Sequence, residues 1–369
     1  MQNHHSSNIG QKGRIAQIDA LRGIAALLVL WLHVAETYIR FPKIASHGTW
    51  LHDVISIVDL GRLGISLFFA ISGFVICKSL SKEKRHPLRH FAIRRFFRLF
   101  PAFWVSVLLG AYVLWIWQER SMDASTFLAN LTMIPAVFGA DLIIGLYWTL
   151  ELELCFYLMM ALLFALGFMR NSQVVFFFIL SCLLVFAVFI FFPNFAPSYA
   201  AWKTMPYHLS IMFWGVLFRY WYDDQDGSVE VWGRSISRLF VLRLTTLVLC
   251  LVPITSLGMS WMDGDMRYVN DGVAYLVTFL MFSLIVLRFP IRHRLMVWLG
   301  MISYSVYLFH PIALVWLKTV LSTQDEVWLS QPLYVYLLLT VIVTIALAAL
   351  IYYLVEKPFI QLSHRWTQR

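Results

Sequence analysis

The sequence is poor in charged residues. Only 13% of its 369 residues are Asp, Glu, Lys or Arg, whereas 60% are hydrophobic. The mean hydropathy is +0.73. A soluble protein of this length needs far more polar surface, so the composition excludes an ordinary soluble domain and indicates that most of the chain lies in lipid.

Four other features are scarce or missing from the sequence. The four cysteines fall in apolar segments without CxxC spacing, so we expect them to be packing residues. The histidines at positions 4 and 5 are too few to argue for a metal, and we predict none. Residues 1–13 are polar and precede an apolar segment too long for a signal-peptide core, so no cleavable signal is expected. No internal repeat suggests the inverted halves of a secondary transporter.

Long apolar segments are abundant instead. A membrane-spanning helix needs about 20 residues, and ten segments of about that length can be drawn. They are residues 19–38, 64–80, 100–117, 146–168, 173–192, 206–221, 240–258, 272–287, 300–320 and 333–355. The sixth is short, and losing it would leave nine. The sequence therefore predicts an all-α polytopic membrane protein with about ten transmembrane helices.

The placement of Lys and Arg orients these helices. With the N-terminus inside, roughly 20 of the 29 Lys and Arg residues fall in cytoplasmic segments and six fall outside. We therefore expect a cytoplasmic N-terminal tail over 1–18, a membrane domain over 19–358 and a cytoplasmic C-terminal tail over 359–369. Pro358 is expected to end the last helix. The net charge of +9 follows from this bias, and no nucleic-acid partner is needed to explain it.

Ionisable side chains within apolar segments are the main functional signal, because a charge at that depth is costly. His33 lies about 21 Å from the inner face, Glu153 near 20 Å and His310 near 15 Å, at about 1.5 Å per helical residue. Three titratable groups on three helices at similar depth suit general acid–base catalysis in a polar cavity. A buried, fully hydrogen-bonded structural network is the alternative.

Two further charged sets lie toward the cytoplasmic side. Asp19 and Arg22 are three residues apart and can pair at the rim of the first helix. Arg89, Arg94, Arg95 and Arg98 form a cluster interleaved with phenylalanines, and the spacing of the last three places them on one cationic face. Contact with anionic lipid explains such a face. A clamp for phosphates explains it equally well, since the arginine fork suits that anion.

Six motifs occur in order and together resemble the acyltransferase-3 family of integral-membrane O-acyltransferases, which modify bacterial surface glycans. They are Asp19-Ala-Leu-Arg22-Gly with His33, Phe68-Phe69-Ala-Ile-Ser72-Gly73-Phe74, Arg95-Phe-Phe-Arg98-Leu-Phe-Pro101, Trp148-Thr-Leu-Glu-Leu-Glu153, Ser303-Tyr304-Ser-Val-Tyr307-Leu-Phe-His310 and Glu356-Lys-Pro358. The resemblance covers about residues 14–360. Within the family, the sequence resembles the members that lack a C-terminal hydrolase-like domain.

The resemblance implies a multi-pass protein of the bacterial inner membrane that moves an acyl group, commonly acetyl, from cytoplasmic acyl-CoA to a hydroxyl of a surface glycan or lipid-linked saccharide. It implies that His33 matches the essential histidine of the family and acts as general base, with Glu153 and His310 as further catalytic candidates. The candidates for binding acyl-CoA are Arg95, Arg98, Arg94, Arg22 and Asp19. The candidates for binding substrate are Tyr307, Trp148 and Ser72.

Two alternatives remain at the level of the sequence. A proton-coupled transporter or flippase would also place His and Glu side chains within the membrane. A scaffold or sensor without catalysis would tolerate loss of His33. Within the enzyme hypothesis, direct transfer and a covalent acyl-histidine relay are both open.

Overall fold

The protein is a bundle of α-helices with one small β-hairpin. This computed structural model describes residues 4–40, 45, 47–80, 86–169, 171–231, 234–263, 266–322 and 330–368. The helices are α1 (His4–Arg40), α2 (Trp50–Ile57), α3 (Leu60–Ile76), α4 (Pro87–Gly110), α5 (Ala124–Leu131), α6 (Trp148–Ala165), α7 (Ser172–Phe191), α8 (Ala200–Asp223), α9 (Arg238–Asp263), α10 (Met266–Leu287), α11 (Arg294–Met301), α12 (Ser303–Ser322), α13 (Leu333–Ile351) and α14 (Lys357–Gln368). Strands β1 (Ser228–Val231) and β2 (Arg234–Ser237) pair antiparallel.

Eight helical segments of the described ranges are long and apolar enough to cross a membrane. They are Ala16–Ile39, Pro87–Ile116, Gly145–Ala165, Ser172–Phe191, Arg238–Met262, Val269–Leu287, Ser303–Ser322 and Leu333–Thr367. Helices α2 and α3 add a ninth if the pair, bent by 54°, is counted as one span. The predicted all-α polytopic fold is confirmed.

The sixth predicted span, residues 206–221, lies within α8 but is not one of these apolar segments. Helix α8 is 24 residues long. It carries His208 and Arg219, and both side chains are buried. Nearly all of the helix from residue 207 to 219 is enclosed by neighbouring helices. Because protein rather than lipid surrounds it, α8 does not need the uniformly apolar surface that a hydropathy criterion detects.

Two helices extend further than the sequence predicted. Residues 87–99 were assigned to a cytoplasmic stretch before the third span, but helix α4 begins at Pro87 and runs on through a π-helical segment to Ile116. The sequence predicted that the last helix ends at Pro358, and this is wrong. A π-helical turn over Tyr352–Glu356 precedes Pro358, and helix continues to Gln368. The wider turn leaves a backbone position unpaired, where a proline without an N–H group costs little.

Glycines bring α1 and α3 close to their neighbours. A Cβ atom on Gly73 of α3 would overlap the backbone of Met212 in α8. A Cβ atom on Gly300 of α11 would overlap the backbone of Asp19 in α1. Because Gly73 has no side chain, α3 can pack directly against the backbone of α8. Helix α1 also contacts α12 and α13, so it lies at the centre of the arrangement that forms the site.

Candidate active site

Two neighbouring cavities follow one side of α1. Arg22 and His33 are eleven residues apart, which is about three turns or 16 Å of helix, so they project from the same side at different heights. Arg22 lines a narrow cavity of about 60 Å³. His33 lines a second cavity of about 210 Å³. Ile65 of α3 borders both, which places the two cavities next to each other.

His33 and His310 lie together, as their predicted depths suggested. Their ring centroids are 5.5 Å apart and the ring planes are inclined by 23°. His310 is only 1% exposed and its Nδ1 lies 3.3 Å from the carbonyl oxygen of Val306. Among the described residues its Nε2 has no hydrogen-bond partner. The pair therefore presents His33 to the cavity, with a second imidazole packed against it.

Glu153 does not join the two histidines. It lines the narrow cavity with Arg22, where Tyr157 donates a hydrogen bond to its Oε1 and Ser72 Oγ lies 3.5 Å from the same oxygen. The residue of α6 beside His33 is Trp148, and Glu153 lies five residues further along the helix, about 7.5 Å away. The structure thus brings His33 and His310 together and places Glu153 in the neighbouring cavity.

The other predicted substrate-binding residues divide between the two cavities. Ser72 and Tyr307 line the narrow cavity, and Trp148 lines the cavity of His33. The Tyr307 hydroxyl lies 2.8 Å from Thr149 Oγ1 and donates to the carbonyl oxygen of Leu146 at 3.3 Å, so it joins α12 to the start of α6.

The three arginines of the predicted cationic face line a third cavity of about 250 Å³. Arg95 donates to Ser79 Oγ at 2.7 Å and to the Tyr157 hydroxyl at 3.2 Å, and its guanidinium stacks over the Tyr157 ring. Arg94 donates to Thr367 Oγ1 of α14 at 2.9 Å and 3.0 Å. Hydrogen bonds thus run from Arg95 of the arginine cavity through Tyr157 to Glu153 of the narrow cavity.

Arg98 lies among acidic side chains. It is within electrostatic range of Glu356, Glu153 and Asp19. Glu356 is 1% exposed and accepts a hydrogen bond from Ser305 at 2.8 Å. The sequence interpretation gave Glu356 only the role of ending a helix, although a buried acid in an apolar segment is the same signal that singled out Glu153.

The predicted ion pair between Asp19 and Arg22 is wrong. The two charges interact electrostatically, but among the described residues they make no contact within ion-pair distance. Arg22 is directed into the narrow cavity instead. Asp19 is also within electrostatic range of Arg98.

Sequence reasoning missed the residues that complete the cavity of His33. His208 of α8 lines it and is 4% exposed. Arg62 of α3 also lines it and forms ion pairs with Asp271 at 3.0 Å and with Asp59 at 3.5 Å. His208 carries the same signal as His33, an ionisable group within an apolar span. It was missed because its own span was the least certain of the ten.

Comparisons with known proteins identify the family of the chain. A family model described as an acyltransferase domain matches residues 15–353. The putative acetyltransferase ORF330 of Acidianus two-tailed virus is 25% identical over 308 residues, which is 81% of this chain and 83% of the relative. The putative peptidoglycan O-acetyltransferase YrhL of Bacillus subtilis is 24% identical, and the match covers 93% of this chain and 54% of the relative.

The peptidoglycan O-acetyltransferase OatA of Listeria monocytogenes is 22% identical, with 93% of this chain and 55% of the relative covered. The chain thus spans just over half the length of the two relatives that are named for peptidoglycan. No solved structure matches.

Proposed function

Because this chain belongs to the acyltransferase-3 family, we propose that it transfers an acyl group, acetyl in the simplest case, from an acyl-CoA to a hydroxyl of a surface glycan or lipid-linked saccharide. That it is a multi-pass membrane acyltransferase follows from the family and from its apolar helices. The donor, the acceptor class and the roles of the residues are parts of the proposal. The names of the two peptidoglycan O-acetyltransferases support a glycan acceptor.

The observation that carries the proposal is the series of three cavities. The first holds Arg94, Arg95 and Arg98, the second Arg22 and Glu153, and the third His33. The nucleotide phosphates of a CoA fit the first cavity, since guanidinium groups bind phosphate through paired N–H donors. An extended pantetheine arm then passes Arg22 and brings the thioester toward His33.

At the third cavity His33 acts as general base in its neutral form. Its imidazole takes the proton of the acceptor hydroxyl as the oxygen attacks the thioester carbonyl carbon. The carbon–sulfur bond then breaks, the CoA thiolate leaves, and the imidazolium returns the proton to the sulfur. His310, packed against the His33 ring, is a positioning residue. The rival pathway first forms an acyl bond to His33 and transfers it in a second step.

In the proposed membrane topology, the acyl-CoA donor binds from the cytoplasm. Both termini are cytoplasmic, residues 19–358 form the membrane domain, and the bacterial inner membrane is the site of action. The arginine cavity, which α14 lines, then opens toward cytoplasmic CoA. The cavity of His33 faces the acceptor on the opposite side.

Membrane vesicles supplied with radiolabelled acetyl-CoA and a total extract of surface glycan test the proposal. We expect His33→Ala to reduce label in glycan by at least about 100-fold, the range for loss of a general base. His52→Ala, in α2 and outside the three cavities, is the matched control and retains activity. Full activity of His33→Ala would refute the scheme. Glycan that accumulates across the membrane without label would favour the transporter alternative.

The arginine cavity is tested by CoA binding. Replacing both Arg95 and Arg98 by alanine removes two guanidinium groups that line it, and we expect loss of CoA binding to the purified protein. Arg89→Ala is the matched control, because Arg89 lies on the same helix with an exposed side chain and does not line the cavity. An equal loss of CoA binding in the Arg95/Arg98 double variant and in Arg89→Ala would mean that CoA responds only to the general positive charge of this helix.

A further inference from the structure

The cavity of His33 contains a second histidine whose hydrogen bonds are incomplete. His208 Nε2 lies 2.9 Å from the Tyr275 hydroxyl, and the other ring nitrogen, Nδ1, is buried and has no partner among the described residues. A buried polar atom left without a partner costs free energy. His208 borders the cavity, so a ligand there is a ready source of the missing partner.

The direction of these hydrogen bonds is set by Arg62. A guanidinium group only donates, and Arg62 Nη1 donates to the Tyr275 hydroxyl oxygen at 3.3 Å. The arrangement that satisfies every group has the Tyr275 O–H donating in turn to His208 Nε2. A neutral His208 with an accepting Nε2 carries its proton on Nδ1. The unpartnered atom is therefore an N–H donor that requires an oxygen.

The rest of the cavity favours an uncharged sugar ring. Trp148 and Phe69 lie with ring centroids 5.3 Å from that of His208, and Trp148 itself lines the cavity, which gives an apolar face for a ring to pack against. Among the described residues that line the cavity, the one Lys or Arg is Arg62. Its guanidinium is engaged by Asp59, Asp271 and Tyr275, so a phosphate or carboxylate finds no uncommitted cation here.

We infer that this cavity is the acceptor subsite and that His208 Nδ1–H donates a hydrogen bond to an oxygen of an uncharged sugar ring stacked against Trp148, beside His33. The inference rests on the proposed function and deepens it. The series of cavities then has two different ends. The arginine cavity binds an anion, and the cavity of His33 selects a neutral, hydroxyl-rich group.

Two amide substitutions separate this role from a structural one. The side-chain amide of His208→Asn lies close to the position of Nδ1 and keeps a donor there. The amide of His208→Gln reaches the position of Nε2, so it keeps the contact with Tyr275 but loses the donor at the position of Nδ1. A residue needed only to hold Tyr275 would tolerate Gln better than Asn.

The experiment uses vesicles with radiolabelled acetyl-CoA and increasing amounts of total glycan extract. We expect His208→Asn to resemble wild type and His208→Gln to raise the half-saturating glycan concentration by about tenfold, as loss of one buried hydrogen bond implies. Binding of CoA to the purified variants, which should match wild type, controls for folding. The opposite ranking of the two variants would overturn the inference.

The class of acceptor is read from the same reaction. The labelled glycan is digested to small saccharides at neutral pH, which preserves the ester, and separated by anion exchange. Label on uncharged sugar residues supports the inference, and label confined to anionic residues overturns it while leaving the proposed function intact. Absence of label with wild type would instead overturn the proposed function, and the acceptor subsite with it.

Discussion

Gly300→Ala should separate α11 from α1. The added Cβ would overlap three backbone atoms of Asp19, its oxygen, carbonyl carbon and Cα. A flexible side chain could rotate away from such a clash, but a helix backbone cannot. The two helices must therefore move apart at the point where Gly23 of α1 faces Gly300.

The cost follows from the small apolar cluster behind this contact, which includes Ala26 of α1 and the buried Leu299 and Ile302. A buried aliphatic side chain makes about 40–60 atom contacts worth about 0.1–0.2 kcal/mol each, and a gap of about 0.5–1 Å forfeits a quarter to a half of each. If about half of the contacts of two such side chains face α1, the loss is about 1–6 kcal/mol, with a central value of about 3 kcal/mol.

Thermal unfolding of the purified protein in detergent measures the effect, and a loss of about 3 kcal/mol should lower the midpoint by about 4 °C in a chain of 369 residues. Gly258→Ala in α9 is the matched control, because no atom lies within 4 Å of its added Cβ. That substitution should leave the midpoint unchanged or raise it slightly, since alanine favours helix. A Gly300→Ala protein as stable as wild type would show that the helices do not approach each other as described.

Three further substitutions probe the site. Arg95→Lys keeps the charge but loses the planar guanidinium that donates to Ser79 and stacks on the Tyr157 ring. The dissociation constant for CoA, measured by calorimetry, should therefore rise about tenfold. Arg89→Lys is the control and should leave this constant unchanged. Glu356→Gln removes a negative charge near Arg98 and should lower the free energy of unfolding, measured by thermal denaturation, by about 1–2 kcal/mol. An unchanged free energy of unfolding would mean that the charge of Glu356 does not stabilise the buried Arg98. Tyr307→Phe removes a hydroxyl that links α12 to α6 and should lower the free energy of unfolding by about 1 kcal/mol in the same measurement. If acyl transfer is lost while the protein remains folded, the hydroxyl takes part in the reaction.

The two ends of the cavity series differ in a way that suits two different substrates. The arginine cavity offers the guanidinium groups of Arg94 and Arg95, which are held by the uncharged side chains of Thr367 and Ser79. At the other end the guanidinium of Arg62 is already engaged by carboxylates. A charged donor and an uncharged acceptor would therefore each find one matching end.

The sequence by itself determined the helical membrane fold and the residues of greatest functional interest. In lipid a backbone must satisfy its own hydrogen bonds, so long apolar segments have almost no choice but to become helices. The same cost of burying charge singled out His33, His310 and Glu153. Helical periodicity correctly placed Arg94, Arg95 and Arg98 together, because spacing along one helix fixes which side chains share a face.

Only the tertiary structure decided how residues on different helices meet. Glu153 and His33 belong to different cavities because the axial offset of α6 against α1 comes from packing, and a depth counted from predicted span ends does not contain it. His208 enters the site because α8 is enclosed by protein, which allowed its sequence to be too polar for a confident span. Glu356 lies in the field of Arg98 because the π-helical turn that holds it packs against α4. Periodicity describes one helix at a time, whereas close contacts such as that between Gly300 and the backbone of Asp19 set which helices are neighbours and at what height.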